Sequence, residues 1–322
     1  MRPLEQIVED GEGLYGPVDD GRLAPRLDLA MANGQAGDYT KCQELSEELL
    51  GDCDRLLGPE HARTVQARYL VEESAGSLAR SALAAFLELP RDSFAEEAAP
   101  ADWQERLLDG ASAIEAAPSY RARMLWDSKP PSRASDDGMH LEYDFEFVRP
   151  DRFHLLRETP EDIDEWIVLG DEHYRNAGLW WPVDDDETKE EHEREDGKLL
   201  ADSYLDLLRR TAPIAVNVRR SGQAAYLVAE YAVVTQAWSH FFQGVASPRE
   251  ARTSLWIDLA DGLLRRVEGS FVLPLSPEDG GEAIESFKHG FASYGEDIAI
   301  EAPDLGVELD EDESPRASAV FG

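Results

Sequence analysis

The sequence predicts an α+β protein, with helices before residue 95 and an antiparallel β-sheet after residue 118. Two periodicities in the order of apolar residues predict this division. In the first part, Leu45, Leu49 and Leu56 recur at helical spacing. From Tyr120 onward, apolar residues alternate with polar ones, a period of two that is typical of strands with one buried face.

The helical region is predicted to contain a break at Gly58-Pro59. Glycine followed by proline ends a helix, and a new helix is expected to begin near Glu60. Val65 and Tyr69 continue the apolar stripe of that helix. The apolar residues of segment 78–86 indicate a further helix that ends before Pro90.

The clearest strand lies at residues 140–150, where the two faces differ in polarity. Side chains on one face are Leu141, Tyr143, Phe145 and Phe147, and those on the other are His140, Glu142, Asp144 and Glu146. A sheet with one apolar face must cover that face. An amphipathic helix predicted at 199–210 can cover part of it. The remainder is either a ligand groove lined by aromatic side chains or a closed, dry core.

Further strands and turns extend this region to residue 305. Hairpins are indicated by Gly170-Asp171, by Asn-Ala-Gly at 176–178 and by Ala-Asp-Gly at 260–262. The predicted organisation has five segments: a flexible N-terminus (1–23), a helical region (24–95), a connector (96–117), a β domain (118–305) and an acidic, disordered tail (306–322).

The charge of the chain is strongly negative, with 67 Asp and Glu against 31 Lys and Arg and a formal net charge of -36. Such a surface repels nucleic acid and anionic membranes. It is expected either from adaptation to high internal salt or from a genome that prefers arginine. No run of 18 apolar residues predicts a membrane span. No signal peptide is recognised, so a cytoplasmic location is expected.

No catalytic, cofactor or metal-binding pattern is found in the sequence. A phosphate-binding loop and a nucleophile elbow are both missing, and the seven histidines are scattered. His192 is interpreted as a solvated side chain in the charge run 184–196, and His240 as a core residue. Cys42 and Cys53 are expected on one helix, about 16 Å apart, too far for a disulfide. The sequence therefore predicts a protein that is not an enzyme.

Residues 37–76 resemble the tetratricopeptide repeats of bacterial multidomain regulators. The resemblance rests on Gly37-Asp38, on the Leu-Gly-Pro-Glu-His step at 57–61 and on Thr64. It covers about one and a half repeats, whereas a stable stack needs about three. A plain helical hairpin explains the same residues.

Residues 118–305 resemble the bacterial lipoprotein carriers of the LolA, LppX and RseB type. The motifs that carry the resemblance are segments 144–153, 166–174, 255–258, 266–268, 291–298 and 300–303, taken in this order. The resemblance implies an antiparallel, unclosed β-barrel wrapped on a helix, with a concave side that binds acyl chains or a hydrophobic peptide. Members of that family are exported, which this sequence does not indicate.

The functional hypothesis is a non-catalytic protein that holds an apolar ligand in the concave face of a β half-barrel. Five aromatic side chains are the candidate ligand contacts: Tyr143, Phe145, Trp166, Trp180 and Trp256. Because they come from strands of mixed phase, only some of them can share one face. The alternative is a regulatory module that binds a protein partner through the repeat-like helices.

Overall fold

The structure is a computed structural model that describes most of the chain. The described residues are 20–129, 139–158, 163–176, 180–183, 204–205, 207–232, 249–274 and 281–303, with side chains from residue 23 onward. The chain divides into two compact units, Met1–Glu88 and Leu89–Gly322. The predictions for the N-terminus before residue 20, the charge run with His192, His240 and the acidic tail lie outside the described residues.

The first unit contains three helices: α1 (Asp20–Gln35), α2 (Tyr39–Leu57) and α3 (Ala62–Glu88). Their apolar faces meet in a small core. The buried members of that core are Leu23, Leu27, Leu49, Cys53 and Ala67. Both cysteines lie on α2, as predicted, and both are buried and free.

The turns of the first unit use the residues that the sequence singled out. Asp38 caps α2 by accepting a hydrogen bond from the Lys41 amide at 3.1 Å. The Thr64 hydroxyl donates to the Gly58 carbonyl at 2.8 Å across the step between α2 and α3. The predicted break at Gly58-Pro59 is thereby confirmed.

Helix α3 is longer than expected, because it continues to Glu88 without the further break that segment 78–86 suggested. No proline interrupts it before Pro90, and the Ser74 hydroxyl bonds back to the Leu70 carbonyl within the helix. Val65 and Tyr69 do not continue the buried stripe, since they are 49% and 62% exposed.

The second unit is built on one antiparallel sheet of twelve strands in its described part. The strands are β1 (Ala95–Ala98), β2 (Ser119–Lys129), β3 (Met139–Val148), β4 (Arg152–Glu158), β5 (Ile163–Leu169), β6 (Glu172–Asn176), β7 (Trp180–Pro182), β8 (Ala215–Ser221), β9 (Ala224–Tyr231), β10 (Arg249–Asp258), β11 (Leu264–Pro274) and β12 (Glu282–Ala292). Their order is β1-β8-β9-β10-β11-β12-β2-β3-β4-β5-β6-β7. The edge strands β1 and β7 do not pair with each other, so the sheet is unclosed, and the predicted α+β fold class is confirmed.

Two meanders meet at the centre of this sheet. β12 pairs with β2 so that Phe287 lies opposite Trp126 and Phe291 lies opposite Ala122. Each strand therefore alternates between an inner face, which carries the main apolar core, and an outer face. Phe287 packs across Gly269 of β11, where a Cβ atom would approach the ring to 2.4 Å.

A helix that the sequence assigned to a connector packs on the inner face. Helix α4 (Trp103–Ala116) buries Leu107, Ala111 and Ile114 in the main core. Gly110 allows the close approach, because a Cβ atom there would lie 2.8 Å from the Gly262 carbonyl oxygen. The described part of the predicted 199–210 helix is helical and also enters this core, through Tyr204, Leu205, Leu207 and Leu208.

The outer face is covered more than the strand pattern predicted. Leu89 to Phe94 cross β9–β11, where Arg266 donates to the Leu89 carbonyl at 3.0 Å and Phe94 packs on Trp256. Residues 296–300 cross the other half, where Ile298 and Ile300 pack on Ile167. Between these two segments the acidic residues of β3 form ion pairs, and Asp144 is buried. The polar side chains on the outer face of the strands thus form a layer of paired charges.

Candidate functional site: the inner face of the sheet

Three of the five predicted ligand contacts share the inner face. Tyr143, Phe145 and Trp166 belong to the main core and are 5%, 3% and 0% exposed. The rings of Tyr143 and Phe145 are stacked, with centroids 6.1 Å apart. Phe145 pairs with Leu155, which pairs with Trp166, so these rings follow one row across β3, β4 and β5. The structure therefore brings three of the aromatic residues into one apolar surface.

The other two predicted contacts lie on the outer face. Trp256 stands between Leu255 and Ile257, which both point inward, so its own side chain points outward. It is fully buried there. The ring centroids of Trp256 and Phe94 are 5.1 Å apart, and the Arg266 guanidinium lies 5.2 Å from the Trp256 ring centroid. Trp180 packs on the outer cluster of Ile167, Ile298 and Ile300. Both tryptophans therefore lie outside the inner face, because their positions have the outward phase of their strands.

A polar group that sequence reasoning missed lies beside Trp166. Asp164 is buried and accepts hydrogen bonds from Arg157 at 2.6 Å, from Arg175 at 2.9 and 3.0 Å and from the Trp166 indole at 3.0 Å. Both guanidiniums also lie over the Trp166 ring, 5.4 and 5.7 Å from a ring centroid. We call these four residues the arginine cluster.

The period-two pattern contained the signal for this cluster. Arg157 is in phase with Phe153 and Leu155, and Arg175 pairs with Trp166, so both arginines fall in the dry phase of their strands. A charged residue in a dry phase indicates a partner or a function, because an unpaired charge is costly to bury. The pairing of Asp164 with both arginines required the three-dimensional structure.

A second polar set lies on the inner face of β12. Buried Glu285 accepts from the Trp126 indole and from the Ser128 hydroxyl, each at 2.7 Å. The Tyr204 hydroxyl lies 2.7 Å from Nδ1 of His289. Burial lowers the pKa of His289 to about 3, so this imidazole is neutral at physiological pH. These contacts satisfy polar groups inside the core and do not form a nucleophile–base arrangement.

The outer face holds a histidine with the opposite electrostatics. His154 donates to Glu165 at 2.8 Å and to Glu146 at 3.5 Å, and Glu146 also accepts from Arg121 at 2.7 Å. Burial alone would lower the pKa of His154, but hydrogen bonds to the two carboxylates outweigh it and raise the pKa to about 9. Burial alone would raise the pKa of Glu146. Its interactions with His154 and Arg121 outweigh burial and lower the pKa to about 2. This group is a fixed ion network at neutral pH.

Metal and membrane features are not seen in the part of the chain that the structure describes. No three His, Cys, Asp or Glu side chains within it converge as metal ligands would. No helix within the same residues combines the length and the apolar character needed to cross a bilayer. The candidate site is the inner face, with its aromatic row and its arginine cluster.

The fold belongs to the class of unclosed antiparallel half-barrels with helical segments on the inner side. No protein-family model and no curated protein matches the chain. The tetratricopeptide interpretation of residues 37–76 thus has no support beyond the residues themselves.

Several solved structures resemble the chain at low identity. The lipoprotein LppX of Mycobacterium tuberculosis is 10% identical, with a TM-score of 0.41, over 63% of this chain and 100% of its own. LprF of Mycobacterium bovis is 11% identical, with a TM-score of 0.40, over 65% of this chain and 99% of its own. A DUF1329 family protein from Desulfovibrio piger is 8% identical, with a TM-score of 0.25, over 63% of this chain and 95% of its own. The assignment of the fold rests on the strand order and register described above.

Proposed function

We propose that the inner face of the sheet binds an apolar ligand, an acyl chain or a hydrophobic peptide segment, and that the protein catalyses no reaction. The observation that carries the proposal is the row of aromatic and aliphatic side chains on β3, β4 and β5 of an unclosed sheet. Binding sites of this kind are mostly apolar and contain a few placed polar groups.

The position of the helical cover supports this choice of face. The close contact of α4 is with Ile257 and Gly262, at β10 and the following turn, and Tyr204 contacts β12. On the β4–β6 side, among the residues that the structure describes, the guanidiniums of Arg157 and Arg175 lie over Trp166, and these two side chains are 26% and 31% exposed. A ligand would therefore approach the aromatic row from the side of these arginines.

Photoaffinity labelling of the full chain tests the proposal. The probe is an uncharged palmitate methyl ester with a diazirine on its alkyl chain, and excess methyl palmitate is the competitor. We expect saturable adducts on strands β3 to β5, at or beside Tyr143, Phe145 and Trp166. The outer-face tryptophans Trp180 and Trp256 serve as controls within the same molecule, because an alkyl chain in the inner face cannot reach them.

Two outcomes would contradict the proposal. Labelling that is not competed by methyl palmitate would mean that the inner face is a closed core. Competed labelling confined to Trp180 or Trp256 would place the apolar site on the outer face.

A second candidate function is protein binding through the helical unit. Val65 and Tyr69 lie one turn apart on α3 and leave about half or more of their surface exposed. Replacing both with serine in the full chain should abolish capture of a protein partner without changing the labelling of the inner face. Capture that survives the double substitution would exclude this surface.

A further inference from the structure

We propose that the Tyr231 hydroxyl donates a hydrogen bond to the ligand of the inner face, and that the group it selects is an uncharged acyl carbonyl, as in a long-chain ester. This inference rests on the proposed function, because it names the polar group of the ligand that the inner face binds. Tyr231 is the last residue of β9, on the opposite half of the sheet from the aromatic row.

The Tyr231 side chain is buried in the main apolar core and places a hydroxyl there. Leu227, Ala229 and Tyr231 are inward residues of β9, and Tyr231 is 1% exposed. Among the residues that the structure describes, no group is placed to form a hydrogen bond with this hydroxyl. Buried hydroxyls are almost always hydrogen-bonded, because an unpaired one loses the bonds that it makes in water. The Tyr231 hydroxyl therefore indicates a partner from outside the chain.

The protonation and the surroundings of this hydroxyl favour a neutral acceptor. Burial raises the pKa of Tyr231 to about 12, so the hydroxyl keeps its proton at neutral pH and can donate it. Burial is the cause of that shift, and no charged side chain of the described residues adds to it. A carboxylate head group beside Tyr231 would therefore be buried without a counter-charge, which is costly.

A ligand with one strong acceptor fits the inner face better than a peptide segment does. A peptide brings an amide N–H and a carbonyl with every residue, and each of them would need a partner inside the core. In the described part of the inner face, Tyr231 carries the buried hydroxyl that can still accept a new partner. An ester has a carbonyl acceptor and no donor, so it leaves no N–H group unpaired.

The register connects Tyr231 to the aromatic row. One row of inward positions crosses the sheet from β9 to β3, and its members are Tyr231, Thr253, Gly269, Phe287, Trp126 and Leu141. Leu141 lies two residues before Tyr143 and therefore on the same face of β3. Neighbouring strands lie about 4.8 Å apart, so the row spans about 24 Å along the sheet. A ligand that contacts both ends of the row needs a long alkyl chain.

Infrared difference spectroscopy of the full chain with methyl palmitate tests the hydrogen bond directly. The ester is used with and without an isotope label at its carbonyl carbon, and the difference isolates the ligand band. We expect the carbonyl band of the bound ester to lie at a lower wavenumber in the unmodified chain than in Tyr231→Phe, because a hydrogen bond weakens the C=O bond. Equilibrium dialysis of the ester should show about fivefold weaker binding to Tyr231→Phe, the loss expected for one neutral hydrogen bond.

Tyr294→Phe is the matched control, because the Tyr294 hydroxyl already donates to the Leu264 carbonyl at 2.8 Å. Without ligand, Tyr294→Phe should lower the denaturation midpoint. Tyr231→Phe should leave the midpoint unchanged or raise it, since it removes a buried polar group without removing a bond between described residues. With ligand, Tyr294→Phe should leave the carbonyl band and the affinity unchanged.

Three outcomes separate this inference from the proposed function. No binding of methyl palmitate to the unmodified chain would overturn both. The same carbonyl band and the same affinity in Tyr231→Phe would overturn the Tyr231 site and leave the apolar site intact. A midpoint that falls as far in Tyr231→Phe as in Tyr294→Phe would show that the hydroxyl already has a partner, a bound water included, and would also overturn the Tyr231 site.

Two further ligands test the chemical class. Palmitate that binds about tenfold more tightly than its methyl ester would overturn the neutral carbonyl in favour of a charged head group. Displacement of methyl palmitate by an equimolar, uncharged leucine peptide would overturn the ester assignment in favour of a peptide. We expect neither, because the inner face offers no counter-charge at Tyr231 among its described residues and no set of partners there for a peptide backbone.

Discussion

The two faces of this sheet are both largely buried, but different interactions bury them. On the inner face aromatic and aliphatic side chains pack against α4 and against residues 204–205 and 207–208. On the outer face the same strands present arginines, carboxylates and His154, and residues 89–94 and 296–300 cross over them. In this protein, strand phase separates mostly apolar packing on the inner face from mostly ionic pairing on the outer face, and the arginine cluster is an ion-paired exception on the inner face.

The first test of this comparison uses two residues of the same strand. Phe287 of β12 is buried on the inner face, whereas Ile284 is on the outer face and 54% exposed. We expect Phe287→Ala to lower the free energy of unfolding by about 4 kcal/mol, because it leaves a cavity beside Gly269. Ile284→Ala should change it by about 0.5 kcal/mol or less.

Denaturant unfolding followed by circular dichroism measures both variants. Similar losses for Phe287→Ala and Ile284→Ala would show that β12 is not packed more tightly on its inner face. A small loss for Phe287→Ala alone would indicate that the inner face repacks around the missing ring.

The sequence predicted the strand phases well and the covering elements poorly. Alternation at residues 140–150 gave the inward side chains Tyr143, Phe145 and Phe147, because a strand on a buried layer must repeat every two residues. Helix α4 lies in the segment predicted as a connector, because its apolar residues Leu107, Ala111 and Ile114 are spread among alanines and acidic residues. The pairing of β12 with β2 joins segments more than 150 residues apart and leaves no local signal.

The second test compares the two aspartates that hold arginines on opposite faces. Asp164 accepts from Arg157, Arg175 and Trp166 on the inner face, and Asp144 pairs with Arg123 on the outer face. Asp164→Asn should destabilise the protein by about 2 kcal/mol, less than a fully buried pair would lose because the arginines reach water. Asp144→Asn should cost about 1 kcal/mol, since Arg123 keeps its ion pair with Glu142.

Unfolding midpoints at constant m-value measure this difference. A larger loss for Asp144→Asn than for Asp164→Asn would mean that the outer ion layer, and not the arginine cluster, is the more tightly coupled network. The m-value is the control, because a change in it would indicate an altered unfolded state.

Only part of the candidate site could be predicted from the sequence, and Trp256, Arg157 and Arg175 show why. The phase of Trp256 is set by its neighbours Leu255 and Ile257, so its outward direction follows once either of them is assigned to the core. Arg157 and Arg175 were missed because a charged residue is usually taken to mark a wet face. Their common acceptor, Asp164, is adjacent to them only through the register of β4, β5 and β6.

The third test compares how the free energy of unfolding depends on pH through the two buried histidines. Its expected effect per half-unit step of pH is the smallest of the three. His154, on the outer face, has a pKa raised from 6.5 to about 9, so its contribution to stability is complete below pH 6.5 and is lost as the pH rises through 9. His289, on the inner face, has a pKa lowered from 6.5 to about 3, so its contribution is complete above pH 6.5 and is lost as the pH falls toward 3. The two faces should therefore lose stability in opposite directions of pH.

Unfolding free energies at half-unit steps from pH 5 to pH 9 measure both slopes. Relative to His154→Gln, the unmodified chain should lose about 1 kcal/mol per pH unit above pH 6.5. Relative to His289→Gln, it should lose about the same amount per unit below pH 6.5. The slopes are compared instead of the absolute stabilities, because either glutamine can alter packing.

Parallel slopes for His154→Gln and the unmodified chain would show that the His154 network contributes no charge pairing. Parallel slopes for His289→Gln would show that water reaches His289 on the inner face at β12.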